Sequence, residues 1–280
     1  MDGYKLVLDV SHHQTFDYDL VKQHVDGFII RTAFGKEADS LFQKHYDGFK
    51  DKPCAGYQWF RPDQDVTAQI EIVKVLCEGK TIRCIFSDQE QEGRYNIPLT
   101  TFPSGVLNEK AHEHITGLEL HGFEMGIYSR ATWISQFVPQ MTDWMYDYNV
   151  WLASWPFASG AITTSWEDLL STWAPKIFSP FFTMDWPADK KRADSWQWSG
   201  DKFIVPGIFT KDGIPRSTDL NFVSDALFDR FMTGQAARAP ATPPARGVDS
   251  RLAKLEKDMK NAKIDIDRIE NVMRDHDWAI

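Results

Sequence analysis

At 280 residues, with 42% hydrophobic and 25% charged side chains, the chain is long enough for one barrel-sized domain plus an appendage, and too apolar for a disordered protein. A formal net charge of −9 argues against general nucleic-acid binding, which needs a basic surface. No run of 18 apolar residues offers a membrane span, and Met1-Asp2-Gly3-Tyr4-Lys5 opens no basic-then-apolar leader, so no signal peptide is expected.

In chain order, Lys5 to His12 reads as a first strand, apolar through Leu6, Val7 and Leu8 and then carrying Asp9. A turn and short helix follow over Phe16 to Val25. Gly27 to Ala33 is a continuous apolar run that suits a parallel strand buried on both faces. A helical pattern spans 38–50. Pro53 to Pro62 contains the third strand, and Val66, Ile70, Val73 and Leu76 predict a helix over 65–79 that stops at Gly79. The fourth strand, Arg83 to Gln91, starts apolar and ends in Asp88 and Glu90. A helix over 104–121, a strand over 123–129, a helix over 131–140 and a strand over 150–155 continue the alternation.

The stretch 156–194 is aromatic and proline-bearing, without helical period, and reads as long loops over one mouth. Ser195 to Ser199 is a seventh strand. Val205–Ile208 and Thr218–Asn221 frame an eighth, and a final helix is expected over 223–232. Alternating strands and helices imply right-handed crossovers and a parallel sheet. The fold class is therefore α/β. About five β/α units followed by three strands with little helix make an irregular closed β/α barrel over 1–233.

Residues 234–247, rich in Ala, Pro and Gly, read as a linker. Beyond it Val248, Leu252, Leu255, Met259, Ala262, Ile266, Ile269 and Met273 recur at alternating spacings of four and three. That seam predicts a coiled-coil helix over 248–280 and a homo-oligomer formed through it. Residues 235–280 hold nine Lys/Arg against eight Asp/Glu, so the acidity belongs to the barrel.

Asp88 and Glu90 are two positions apart. On a strand they share a face, with Cα atoms roughly 6.6 Å apart. Buried acids at a strand end are expensive unless hydrogen-bonded or used, and glycoside hydrolysis uses a carboxyl pair at about this separation. Asp9, Asp88, Glu90 and Asp219 all fall at expected C-terminal strand ends, where barrel enzymes place their chemistry. Tyr57, Trp59, Tyr128, Trp151, Trp155, Trp196 and Trp198 lie near strand ends and divide between sugar platforms and barrel filling. Arg31 is counted with the substrate-binding candidates, and is expected more as a buried partner of the acids than as a substrate clamp. His12 and His13 are adjacent, so on a strand they face opposite ways and make no metal pair. Cys54, Cys77 and Cys84 show no zinc spacing, and Cys54 and Cys84 read as reduced core thiols.

The segments Asp9-Val10-Ser11-His12-His13-Gln14, Phe28 to Gly35, Gly56 to Pro62 and Asp88-Gln89-Glu90 resemble, in order, the glycoside hydrolase family 25 lysozymes (Chalaropsis-type muramidases). Gly126 to Ser129, Trp151 to Trp155, Trp196 to Ser199 and Asp219-Leu220-Asn221 extend the resemblance over about residues 5–232. It implies a β/α barrel that cleaves the β-1,4 bond between N-acetylmuramic acid and N-acetylglucosamine in bacterial peptidoglycan. It implies Glu90 as general acid, Asp88 as the carboxylate supporting attack by the substrate's own acetamido group, and Asp9 and Asp219 as supporting acids. No metal or organic cofactor is implied. The sequence departs from the family pattern at Gln58, where a His is more usual after the Tyr, and at Ser154-Trp155, where the usual ending is polar-Tyr.

With no signal peptide expected, the chain reads as made in a host bacterial cytoplasm and acting on the wall, as a phage endolysin or virion-associated lysin. Two alternatives stand beside it: an inactive wall-binding barrel clustered by its coiled coil, and a hydrolase of another N-acetylhexosamine polymer such as chitin.

Overall fold

The structure, a computed structural model, describes residues 4–90, 101–155, 166–168, 171 and 193–229. Ten strands share one sheet among the described residues. They are β1 (Tyr4–Val10), β2 (Thr15–Phe16), β3 (Gly27–Phe34), β4 (Glu37–Ala38), β5 (Cys54–Trp59), β6 (Cys84–Gln89), β7 (Glu124–Ser129), β8 (Asn149–Ala153), β9 (Ser195–Phe209) and β10 (Pro215–Ser224). Eight close into a barrel in the order β1-β3-β5-β6-β7-β8-β9-β10, sealed where β10 pairs with β1. β2 and β4 are short additions to β9 and β3. The helices α1 (Tyr18–Val21), α2 (Phe42–Phe49), α3 (Val66–Cys77), α4 (Ser104–Leu120) and α5 (Ala131–Phe137) each lie between two consecutive barrel strands.

The strand runs look uniformly apolar because both faces are buried. Alternate residues divide between two cores. Val7, Ile29, Ala55, Cys84, Phe86 and Trp151 fill the barrel interior, while Leu6, Leu8, Phe28, Ile30, Ile85 and Ile127 pack outward. In α3, Val66, Ile70, Val73 and Cys77 recur at spacings of four, three and four, and all are buried. Burying each Val or Ile side chain stabilises by roughly 1.5–3 kcal/mol. Asp65 caps this helix by accepting the Ala68 N–H at 2.7 Å. Gly79 follows at φ 70°, a left-handed conformation that costs other residues more than glycine. All three cysteines are buried, and none is in a disulfide.

The last third departs from expectation. Val205–Ile208 belongs to the far half of β9, a 15-residue strand, and does not frame an eighth. β10 runs antiparallel to both β9 and β1. Its connection to β9 is a tight turn closed by Thr210 N–H to the Ile214 carbonyl at 2.8 Å, and so short a link can only reverse the chain. Asp219 therefore sits in the first half of its strand, not at the C-terminal end. The antiparallel direction still brings it to the expected mouth, opposite Asp9 in the β1–β10 register. Similarly, β1 ends at Val10 rather than His12. The final helix starts only at Asp225, capped by the Ser224 hydroxyl.

The chain divides into residues 1–235 and 236–280. The expected linker over 234–247 and coiled coil over 248–280 lie outside the described residues, as does most of 156–194. Among the described residues no helix is long and apolar enough to cross a membrane.

Candidate active site

The C-terminal ends of the parallel strands surround a cleft of about 320 Å³. Asp88 reaches it from β6, and Glu90 from the residue just past that strand. Asp9 comes from β1 and Asp219 from β10. Alternation explains the selection: Cys84, Phe86 and Asp88 point inward, while Ser87 and Gln89 are held outside the barrel. There Ser87 meets the His114 ring at 2.9 Å, and Gln89 donates to the Ser87 hydroxyl at 2.7 Å.

Asp88 is only 3% exposed, and its Oδ1 has no hydrogen-bond partner among the described residues. Burial, then the charge of neighbouring Glu90, pushes its carboxyl well above the ordinary carboxylate range. Arg31 and Arg130 oppose that rise without cancelling it. Glu90 is half-buried at the cleft surface. The pair thus has one deep carboxyl and one that can reach a ligand.

Asp9 is fixed differently. Its Oδ2 accepts the Asn221 amide N–H at 2.8 Å and the Gln197 amide N–H at 3.1 Å. Those amides are themselves oriented. Trp151 Nε1 donates to Asn221 Oδ1 at 2.8 Å, and the Tyr128 hydroxyl donates to Gln197 Oε1 at 2.9 Å. Trp155 Nε1 adds a donor to Gln197 Oε1 at 3.2 Å. Each amide has its oxygen occupied by a donor, so its nitrogen turns to acceptors: Asp9 for Gln197, and Asp9 together with the Val7 carbonyl for Asn221. The Tyr128 hydroxyl is pushed well above its usual pKa by burial and by the surrounding acids, so it stays a donor.

Arg31 also lines the cleft, but its bonded partner is none of the four expected acids. Its Nε donates to Asp39 Oδ2 at 2.8 Å, and its Nη2 contacts the His12 ring. Asp39 also accepts from the His12 and Leu41 backbone N–H groups. Burial raises the Asp39 carboxyl, but Arg31 and these donors win and hold it below its usual range. Removing either partner of such a buried pair costs about 3–5 kcal/mol. His12 and His13 lie in a turn beyond β1, so they do not face opposite ways: their ring centroids are 4.0 Å apart. Burial lowers the His13 pKa to about 4, helped by His12, Arg31 and Arg216. Among the described residues no group of three His, Cys, Asp or Glu side chains is placed to hold a metal ion.

Of the aromatic residues, Tyr57, Trp59, Tyr128, Trp151 and Trp155 line the cleft. Trp151 is 1% exposed and forms the floor, edge-on to Tyr57 and Phe86. Trp59 and Trp155 are the accessible rings, with Trp155 39% exposed. Trp196 is not in the cleft. With Trp198 it points outward into the helix-side core against Phe222, and its Nε1 donates to the Ser154 carbonyl at 2.7 Å. The residue between them, Gln197, takes the inward position. Trp196→Ala is expected to cost about 3–5 kcal/mol of stability in denaturant titration, with KM for a glycan unchanged. A raised KM with stability intact would restore Trp196 to the site.

Gln197, Asn221, Asp39 and Arg130 were not among the residues expected from sequence. Gln197 and Asn221 had a signal in the period of two: each sits on the face opposite its apolar neighbours, in line with an acid or with the barrel axis.

No protein-family model matches the chain, and no curated protein does. Solved structures do. A bacterial lysozyme from Streptomyces coelicolor superposes with a TM-score of 0.62 at 14% identity, covering 84% of this chain and 100% of that one. A family 25 glycosyl hydrolase from Bacillus anthracis gives 0.60 at 15% identity, over 83% and 95% of the two chains. The CTP1L endolysin gives 0.55 at 14% identity, over 83% and 70%. At such identities the likeness is one of fold, and it spans the barrel: the chain shares the fold of the family 25 lysozymes.

Proposed function

We propose that this chain is a peptidoglycan hydrolase, a muramidase cleaving the β-1,4 bond between N-acetylmuramic acid and N-acetylglucosamine. The observation that carries the reading is the convergence of Asp9, Asp88, Glu90 and Asp219 on one mouth of a lysozyme-type barrel. Glu90, nearer the cleft surface, is the general acid that protonates the leaving oxygen as the glycosidic C–O bond breaks. The acetamido carbonyl oxygen of the same sugar attacks the anomeric carbon, which makes the amide N–H acidic. Asp88 is suited to take that hydrogen, because a carboxyl whose pKa is pushed up is a stronger base once ionised. Water, deprotonated by Glu90 as it regains its proton, then opens the cyclic intermediate. Asp9, held by Asn221 and Gln197, adds negative charge facing the cationic sugar, and Asp219 lies beside it.

The target is bacterial peptidoglycan, reached as a phage endolysin or virion-associated lysin would reach it. Oligomerisation through 248–280 belongs to the same proposal and would multiply wall contacts. Product analysis of digested, purified peptidoglycan tests the reading. New reducing ends on N-acetylmuramic acid are expected. Reducing ends on N-acetylglucosamine would keep the carboxylate chemistry but refute the bond, and chitin oligomers cleaved in preference would refute the substrate.

A further inference from the structure

Arg130 follows β7 directly and lines the cleft beside the acids. Its guanidinium carbon lies 3.9 Å from the centroid of the Trp155 ring. Such stacking occupies the flat face of the cation and leaves its N–H donors pointing outward in the plane. Yet the Arg130 guanidinium has no hydrogen bond or ion pair among the described residues, and its Nε is buried without a partner. An arginine cannot shed its proton, so a partly buried, unpaired guanidinium is costly unless something arrives to pair with it.

Among the neighbouring acids, Asp88 feels the charge of Arg130 but makes no hydrogen bond with it among the described residues. Asp39 is taken by Arg31, and Asp9 accepts from two amides. Gly200 keeps the arrangement tight: a Cβ there would come within 2.9 Å of the Trp155 ring. A rigid, stacked, unsatisfied cation at the edge of an acid-lined sugar cleft suits a substrate group that is both anionic and planar.

We propose that Arg130, seated on Trp155, reads a carboxylate of the bound glycan, namely the lactyl carboxylate of muramic acid residues that carry no peptide, since attachment of a peptide turns that carboxyl into an amide. The inference rests on the peptidoglycan reading and specifies which part of that substrate is recognised. The same chemistry could come from a carboxylate of an attached peptide, so the test separates the two sources.

The full chain carrying Glu90→Gln serves as a non-cleaving binder, compared with Glu90→Gln/Arg130→Met by calorimetry. Methionine keeps an unbranched apolar stem against Trp155 and removes the charge. The ligands are peptide-free glycan strands, the same strands with methyl-esterified carboxyls, and strands that retain their peptides. With Arg130 present, the acid form is expected to bind about tenfold more tightly than the ester, the scale of one charge-assisted hydrogen bond. With Arg130→Met the two should bind alike.

Loss confined to peptide-bearing strands would uphold a carboxylate reader and move the carboxylate to the peptide. An acid-to-ester preference that survives in Arg130→Met, or equal weakening of acid and ester, would overturn the inference and leave Arg130 as a prop for Trp155. If neither protein binds any strand, the peptidoglycan reading falls and this inference falls with it.

Discussion

Glu90→Gln is expected to lower turnover on peptidoglycan by about 10²–10⁴-fold while leaving the near-ultraviolet circular dichroism unchanged. Glutamine keeps the shape of the side chain and one acceptor oxygen but has no proton to give. Glu90 lies past the end of β6, half-buried, so the substitution disturbs no packed layer. The charge of Glu90 is one cause that pushes the Asp88 carboxyl up, so catalysis needs one acid of the pair protonated and the other ionised. Wild-type activity should therefore be bell-shaped in pH. Near wild-type turnover by Glu90→Gln would end the assignment of the general acid.

Asp88→Asn should show two opposite effects. Turnover is expected to fall by about 10²–10³-fold, because the base proposed to face the acetamido group is gone. Stability rises, because a carboxyl in this position is costly to keep charged. The sign follows from linkage. The folded pKa of Asp88 lies above its unfolded value, so the folded form binds the proton more tightly. Wild type then loses stability as pH climbs from about 4, the unfolded value, toward the folded one. Asparagine is neutral throughout and escapes that loss. At neutral pH the variant should be more stable by roughly 1–3 kcal/mol, and the advantage should shrink as pH falls toward about 4. Thermal unfolding across pH measures it. Equal melting temperatures at every pH would show that burial does not penalise the Asp88 charge.

Much of the barrel was legible because its signal is local. A buried strand must be apolar on both faces, so an acid at its end stands out, and Asp9 and Asp88 were visible for that reason. Long-range pairing was not. Nothing within Thr218–Asn221 states that β10 runs antiparallel to β1, because strand direction is settled by a five-residue turn and by partners more than 200 residues away. The supporting amides were hidden by type: Gln197 and Asn221 carry no charge, and only their alternation with Trp196, Trp198 and Leu220 gives them away. That same alternation forbids Trp196 and Gln197 from both facing inward, which is why Trp196 belongs to the outer core. Asp39 was masked by a helix-like pattern over 38–50. Helix α2 starts only at Phe42, which leaves Asp39 free to meet the buried Arg31.

The seam between β1 and β10 also bears on synthesis. Asp9 is made almost at once, but the Asn221 amide that fixes it lies 212 residues later. Contacts of such sequence separation form late, since a long loop must close before they repay its entropy. Until the ribosome has delivered β10, β1 has a bare edge and Asp9 lacks its Asn221 partner. A nascent or truncated chain ending before β10 would hold every residue of the Asp88–Glu90 pair and still be inert. If the chain has the proposed function, its activity is expected only once the two ends of the sheet meet, so barrel closure would time the onset of catalysis in a newly made molecule.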